Sequence, residues 1–247
     1  MFRIFSRSAS SRRHADYGFL GTDMHSHLIP GIDDGSPNMA TSLQLVKGMA
    51  DLGFQKLITT PHIMWDMYQN EKTDLCRRFE ILKESAGQQG IKVEMKVAAE
   101  YFLDDHVAGL LKDRQRLMTM DDNKVLVEFS MASPPLSLKD ILFELQMQGY
   151  QPVIAHPERY IYMEHGKQFF DELKVIGCLF QLNILSLGNY YGKSVHELAN
   201  YLLKKDYYDM VGTDLHHARH LDALRNPALE TSLKKIFESG KILNPSL

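Results

Sequence analysis

Continuous apolar runs alternate with helical stripes along this chain. Phe19-Leu20-Gly21-Thr22 leads into Asp23-Met24-His25-Ser26-His27. Ser36 and Pro37 then form an N-cap and first-turn pair. Leu43, Val46, Met49, Ala50 and Gly53 give a stripe at helical spacing that ends in glycine. The unit recurs. Strands are predicted at 56–60, 92–102, 124–129, 151–155, 178–187 and 208–215, and helices at 70–89, 104–112, 137–149, 168–176, 195–205 and 228–239. Val125-Leu126-Val127 and Pro152-Val153-Ile154-Ala155 are apolar at every position instead of alternating, as parallel strands covered on both faces require. Seven strand–helix units of this kind predict an α/β fold, a distorted seven-unit (β/α) TIM-like barrel. No linker or repeat divides it, and Pro134-Pro135 reads as a loop before a helix. Residues 17–247 are assigned to one domain, preceded by a basic flexible tail at 1–16 with Arg3, Arg7, Arg12 and Arg13.

Length and charge agree with this. The 247 residues suit one large domain, and a net charge of −3 speaks against a nucleic-acid binder that depends on counterion release. Cys76 and Cys178 stand in separate apolar contexts, giving neither a disulfide framework nor a thiolate zinc knuckle, and fit a reducing cytoplasm. No apolar stretch reaches membrane-spanning length, and the basic tail lacks a hydrophobic signal core. Stable membrane insertion and secretion are not expected.

Chemistry enters at the strand ends. Functional residues of a (β/α) barrel gather where the strands finish, and ligand-type residues stand there one strand after another. His25 and His27 end the first strand, His62 the second, Glu100 the third and His156 the fifth, while Asp214 and His216 end the seventh; Glu128 lies in the fourth and Asn183 in the sixth. His25 and His27, two apart on a strand, face the same way, and the turn Asp33-Asp34-Gly35 adds oxygen ligands. A lone histidine in such a place is most often a hydrogen-bonded core residue; the cluster carries the reading. Eight candidates exceed one tetrahedral zinc and suit three divalent ions that share bridging carboxylates. His14, His106, His165, His196, His217 and His220 fall on predicted helices, loops or the tail and are excluded as mostly solvated.

The pattern Asp23-x-His25-x-His27-x-x-Pro-Gly-x-Asp33-Asp34-Gly35, with Thr60-Pro61-His62, Ala99-Glu100, His156-Pro157-Glu158-Arg159 and Gly212-Thr213-Asp214-x-His216, closely resembles the polymerase-and-histidinol-phosphatase (PHP) superfamily. Within it, the likeness over about residues 17 to 240 is to the bacterial metal-dependent protein-tyrosine phosphatases of capsular and exopolysaccharide systems. The resemblance implies a PHP-type barrel holding three divalent ions, usually manganese, with iron, magnesium or zinc as alternatives. By motif, His25, His27, Asp34, His62, Glu100, His156, Asp214 and His216 are the ligands. Glu100 bridges, and Asp33 caps the turn. Glu128, Asp23 and Asn183 are candidates for orienting the ligands. Arg159 matches a phosphate-gripping arginine. Arg219, three after His216, is assigned as the second, with Arg225 as the fallback. Arg159, Arg219 and Glu100 form the expected catalytic set.

The same resemblance implies a phosphotyrosine protein as substrate, namely the cytoplasmic tail of a tyrosine kinase that controls polysaccharide synthesis. It places the chain in the cytoplasm, peripheral at the inner membrane through that partner. A metal-activated hydroxide would then attack phosphorus without a protein nucleophile. The thiol route is excluded from the residues, since a cysteine phosphatase needs arginine six positions after its nucleophile and Leu82 and Ile184 stand there. The apolar loop 63–68 directly follows His62, making Trp65 and Tyr68 the expected walls for a phosphotyrosine ring. Arg159 has no obvious carboxylate to pair it in its own segment. Two alternatives remain, a small-molecule phosphomonoesterase of the histidinol-phosphatase kind and a metal-stabilised binding subunit without turnover.

Overall fold

A computed structural model describes residues 14–163 and 166–247. Its strands are β1 (Thr22–Asp23), β2 (Lys56–Thr59), β3 (His62–Ile63), β4 (Glu94–Val97), β5 (Glu100–Phe102), β6 (Lys124–Glu128), β7 (Gln151–Ala155), β8 (Leu179–Asn183) and β9 (Met210–Gly212). The helices are α1 (Met39–Asp51), α2 (Lys72–Gln88), α3 (Asp105–Lys112), α4 (Leu138–Met147), α5 (Gln168–Ile176), α6 (Lys193–Lys204), α7 (Ala218–Leu224) and α8 (Pro227–Phe237). All strand pairs are parallel, in the orders β1-β2-β4 and β3-β5-β6-β7-β8-β9.

The two sheets run into each other. Pro61 has no N–H for the ladder, so the second strand breaks between β2 and β3. The predicted strand 92–102 likewise divides at Ala98-Ala99 into β4 and β5. Backbone bonds bridge the breaks, from Ala98 N–H to Thr59 O (2.9 Å) and from Glu100 N–H to Pro61 O (3.1 Å). The last strand segment also bonds the first: Asp214 N–H donates to His25 O (2.8 Å) and His27 N–H to Leu215 O (2.9 Å). Seven strand segments thus form a ring.

The doubly apolar strands now have their reason. Met24, Ile58, Ala98, Leu126, Val153, Ala155 and Met210 point inward and fill the ring with a fully buried cluster. Their neighbours Leu57, Val125, Val127, Ile154, Phe180 and Val211 point outward into a larger layer shared with the helices. Leu243 and Leu247 pack against the inner cluster at the end where the strands begin.

Several boundaries differ from the sequence reading. Helix α1 is capped by Asn38, whose side chain accepts Thr41 N–H at 3.0 Å, and not by Ser36. The expected strand 178–187 stops at Asn183 and turns into a 3₁₀ segment, Ile184–Gly188. The expected strand 208–215 is regular only over Met210–Gly212. Helix α7 was not anticipated; at seven residues it is too short to show a periodic stripe. Of the tail at 1–16, residues 1–13 lie outside the described residues. Ala15 is already buried and donates its N–H to Arg225 O at 3.2 Å, so chain packing begins before residue 17. Among the described residues no helix is long and apolar enough to cross a membrane.

Candidate metal centre

The strand ends deliver nine side chains to one place. His25, His27, Asp34, His62, Glu100, Glu128, His156, Asp214 and His216 form four overlapping groups whose ligand atoms lie within 4.8 Å of one another. Glu100 is at the middle. Its Oε2 is 3.1 Å from His25 Nε2, 3.3 Å from His27 Nε2 and 3.3 Å from His62 Nδ1, and its Oε1 is 3.3 Å from His156 Nε2. Asp214 Oδ1 lies 3.3 Å from His25 Nε2 and 3.4 Å from His216 Nδ1. Asp34 Oδ1 is 3.4 Å from both His62 Nε2 and His216 Nε2.

The outer nitrogens are held so that the inner ones present lone pairs. His25 Nδ1–H donates to Gln181 Oε1 (2.9 Å) and His27 Nδ1–H to Asp33 Oδ2 (2.9 Å). This fixes the tautomer that leaves Nε2 free as a ligand. The two Nε2 atoms then face each other at 3.3 Å, an arrangement that a cation between or beside them would stabilise. Asp33 keeps its other oxygen for Gly35 N–H (3.0 Å), closing the turn that presents Asp34.

Close packing dictates small residues here. A Cβ on Gly35 would come within 2.4 Å of His27 Cβ, and one on Gly212 within 2.7 Å of His25 Cβ. His156 and Asp214 adopt left-handed backbone, with φ of +31° and +51°. Non-glycine residues pay for that conformation only where surroundings over-determine it, and here it turns both side chains into the cluster.

Electrostatics and hydrogen bonding both fit bound cations. Burial opposes charge on His62, yet the carboxylates of Glu100, Asp34 and Glu128 outweigh it and push its pKa up to about 10. Burial likewise opposes ionising Glu100 and Asp214, but the surrounding imidazoles hold both well below the usual carboxylate range. Four buried atoms, His62 Nδ1, Glu100 Oε1, Glu128 Oε1 and His156 Nδ1, have no hydrogen-bond partner. His62 Nδ1 and Glu128 Oε1 are 3.0 Å apart without hydrogen-bond geometry. Buried polar atoms left this way are costly, and histidine with carboxylate is the donor set that divalent metals accept. The residues present fit divalent metal.

The remaining predicted residues are distributed unevenly. Arg159 lines a cavity of about 220 Å³ together with Met131, Tyr191 and six of the nine, Asp34, His62, Glu128, His156, Asp214 and His216. Its carboxylate partner comes from outside its own segment: Nη1 donates to Asp214 Oδ2 at 2.7 Å, from a residue far along the chain. Its guanidinium also sits 4.9 Å above the Tyr191 ring. Tyr68 is half-buried, its ring stacked 5.6 Å from that of His62. Trp65 is not at this cavity; it stacks on His106 at 3.9 Å and lines a different one. Arg219 is exposed on α7 and does not line the metal cavity. The fallback, Arg225, is ion-paired with Asp222 at 2.5 Å and lines a separate cavity with His14.

Among the candidate orienting residues, Asn183 donates to Asp214 Oδ2 at 3.1 Å. Asp23 instead accepts Thr213 N–H and O–H (2.8 and 3.0 Å), tying the first strand to the last, and burial raises its pKa to about 7. Glu128 faces His62 and Glu100 directly and belongs with the ligand-type groups. Of the excluded histidines, His220 is buried against the site, where its Nδ1 accepts His216 N–H at 3.3 Å, and exposed His217 lines the same cavity. His106 and His196 are half-buried; His165 lies outside the described residues.

Gln181 and Glu158 were not singled out by sequence. Gln181 stands two before Asn183 on β8, so strand alternation alone could have found it. Fully buried Glu158 accepts Asn183 N–H (2.9 Å), Ser186 O–H (2.8 Å) and Tyr208 O–H (2.9 Å), fastening the turn that carries Arg159.

Buried imidazoles and carboxylates on the rim of a parallel α/β ring, with an arginine beside them, define an α/β protein with a donor set suited to divalent metal. The chain belongs to the family described as Capsular polysaccharide synthesis, CpsB/CapC, which matches residues 21–240. It is 27% identical over 197 residues to the tyrosine-protein phosphatase YwqE of Bacillus subtilis, covering 80% of this chain and 78% of that one. It is 29% identical over 220 residues to the tyrosine-protein phosphatase CpsB of Streptococcus agalactiae, covering 87% and 88%. Among solved structures it matches one from work on YwqE of Bacillus subtilis and CpsB of Streptococcus pneumoniae, described as unique metal-dependent tyrosine phosphatases. The TM-score is 0.78 at 25% identity, over 87% of this chain and 86% of that one. A histidinol phosphate phosphatase from Lactococcus lactis, solved with zinc, L-histidinol and phosphate, shares the fold at TM-score 0.54 and 12% identity, over 93% and 94%.

Proposed function

We propose that this chain is a metal-dependent phosphoric monoester hydrolase that acts on phosphotyrosine in proteins. The observation that carries the reading is the convergence of nine ligand-type side chains, with orphaned buried atoms among them, beside a cavity that Arg159 lines. The names of its relatives support the substrate. His25, His27, Asp34, His62, Glu100, His156, Asp214 and His216 would hold three divalent ions, manganese in the first place, with Glu128 beside His62. Ions held there would supply Lewis acidity and activate water at neutral pH.

The chain's own residues do the rest. Arg159 keeps one N–H group on Asp214 and turns the others to the phosphate oxygens, where charge-assisted hydrogen bonds stabilise the charge that builds up on transfer. Tyr191 under the guanidinium and Asn183 on Asp214 keep that geometry. Arg219, exposed on α7 two residues past the rim residue His217, is the second arginine of this reading. Tyr68, stacked on His62, walls the ring of the substrate. A phenolate with a pKa of about 10 leaves readily, so aryl esters need little help from a general acid.

The substrate protein in this reading is the cytoplasmic tail of a tyrosine kinase in a polysaccharide system, met at the inner face of the membrane. The test compares a phosphotyrosine peptide with histidinol phosphate, on chelated protein titrated with manganese, iron, magnesium and zinc. Manganese-restored turnover of the peptide, and little of histidinol phosphate, is expected. Faster turnover of histidinol phosphate overturns the reading in favour of a small-molecule phosphatase, and no turnover of either favours a binding subunit.

A further inference from the structure

The loop after His62 is a partition with a cavity on either side. Backbone bonds between Met64 and Tyr68 close it (3.2 and 2.6 Å), Trp65 N–H donates to Asp104 Oδ2 (3.2 Å), and Asn70 Nδ2 donates to His62 O (2.9 Å) and Ile32 O (3.0 Å). Tyr68 turns its ring to His62, which lines the metal cavity. Trp65 turns the other way, into a cavity of about 380 Å³, where it stacks face to face on His106 at 3.9 Å and 11°.

That second cavity has an aromatic interior and a cationic mouth. Trp65, His106 and buried Tyr101 line it, and exposed Lys72 and Arg116 stand at its edge. Neither cation has a carboxylate partner among the described residues; Lys72 Nζ donates only to Arg116 O, at 3.3 Å. Glu71 is the one acidic residue in the lining. The two cavities share a wall at adjacent residues, His62 on one side and Ile63 on the other. An extended peptide advances about 3.3 Å per residue, so positions a few residues apart reach both.

We propose that this cavity is a second recognition subsite, which takes another phosphotyrosine of the same substrate peptide while the first lies in the metal cavity. The inference rests on the phosphotyrosine reading above. The ring enters between the Trp65–His106 stack and Tyr101, and the phosphate meets Lys72 and Arg116 at the mouth. The chain therefore prefers multiply phosphorylated segments.

The experiment is calorimetric binding to the full, metal-loaded chain of peptides bearing one or two non-hydrolysable phosphonate analogues of phosphotyrosine. One to four residues separate the two analogues. Turnover of para-nitrophenyl phosphate is measured on the same preparation. At the best spacing the double peptide binds about tenfold tighter than the single, beyond the roughly twofold that two alternative registers give. In the K72A/R116A variant the advantage falls to that twofold. An advantage of no more than twofold at every spacing, or a larger one that survives in the variant, overturns the second subsite. Failure to turn over para-nitrophenyl phosphate instead overturns the phosphatase reading, and does so independently of the binding result.

Discussion

Asn244 and Glu100 are both fully buried polar residues at an end of the same ring of strands, and they live under opposite rules. Where the strands begin, Asn244 uses its whole amide: Oδ1 accepts Val211 N–H (2.9 Å), and Nδ2 donates to Thr22 O (2.9 Å) and Val211 O (2.6 Å). Leu243 and Leu247 pack beside it. Where the strands finish, Glu100 faces four imidazoles and one of its oxygens still lacks a hydrogen bond. All four orphaned buried atoms of the described residues lie at that finishing end. A polar group whose bonds are all made holds the fold together. A group left short at a fixed geometry is poised for a ligand, and two left-handed backbones at the same rim show how much conformational strain is held there.

The largest effect should come from Glu100→Gln. It removes the one carboxylate that two of the four ligand groups share, so bound metal, read by elemental analysis, should fall by at least one ion per chain. Turnover should drop by more than the roughly 10–100-fold typical of losing a residue that merely supports a ligand. Full metal content in this variant would make Glu100 an ordinary buried acid and dissolve the contrast between the two ends.

Arg159→Ala comes next. Loss of a preorganised donor should cost about 2–4 kcal/mol of transition-state stabilisation, read from kcat/KM on an aryl phosphate. Metal content should hold, because Asp214 keeps Asn183 and the imidazoles around it. A parallel loss of metal would show that Arg159 serves the rim by holding Asp214 in place.

At the other end, Asn244→Ala should destabilise the fold by about 3 kcal/mol, the sum of several modest hydrogen bonds and the stranded backbone groups. Urea unfolding measures this. Activity per folded molecule should stay unchanged, the reverse of the rim variants.

Much of this contrast was legible along the chain, and for a physical reason. Strand ends are local, so His25, His27 and His62 could be read from runs of a few residues, and parallel strands advertise themselves through apolar positions on both faces. Asp34 was separable from Asp33 only through the resemblance; the structure shows Asp33 spent on His27 and Gly35. Partnerships across the ring were invisible. Nothing near Arg159 in sequence announces Asp214, which is 55 residues away, or Tyr191 beneath the guanidinium. Trp65 was read as a wall of the metal cavity because it follows His62, but a loop closed by Met64 and Tyr68 sends neighbouring side chains to opposite sides. Ser36 and Asn38 are both cap residues by type, and only backbone geometry chose Asn38.

The smallest effect on activity is expected at the cysteines, where the contrast becomes a matter of pH. Cys178 is buried just ahead of β8, at the end where the strands begin, and Cys76 is half-buried on α2. With turnover resting on metal, a variant carrying Cys76→Ser and Cys178→Ala should keep its rate, and loss of rate in a folded variant would sink the metal mechanism. Burial pushes the Cys178 thiol up to about 12, against a partial pull downward from Lys174. The folded pKa thus exceeds the unfolded value of about 8.5, and the stability gained by keeping the thiol neutral is complete below the unfolded value. It is lost as pH rises from there toward 12. Between pH 7 and pH 10 the stability difference between the native chain and Cys178→Ala, read from urea midpoints, should therefore shrink by about 2 kcal/mol. A difference constant across that range would mean that the thiol ionises as readily in the fold as in the unfolded chain, and that this end is wetter than its packing implies.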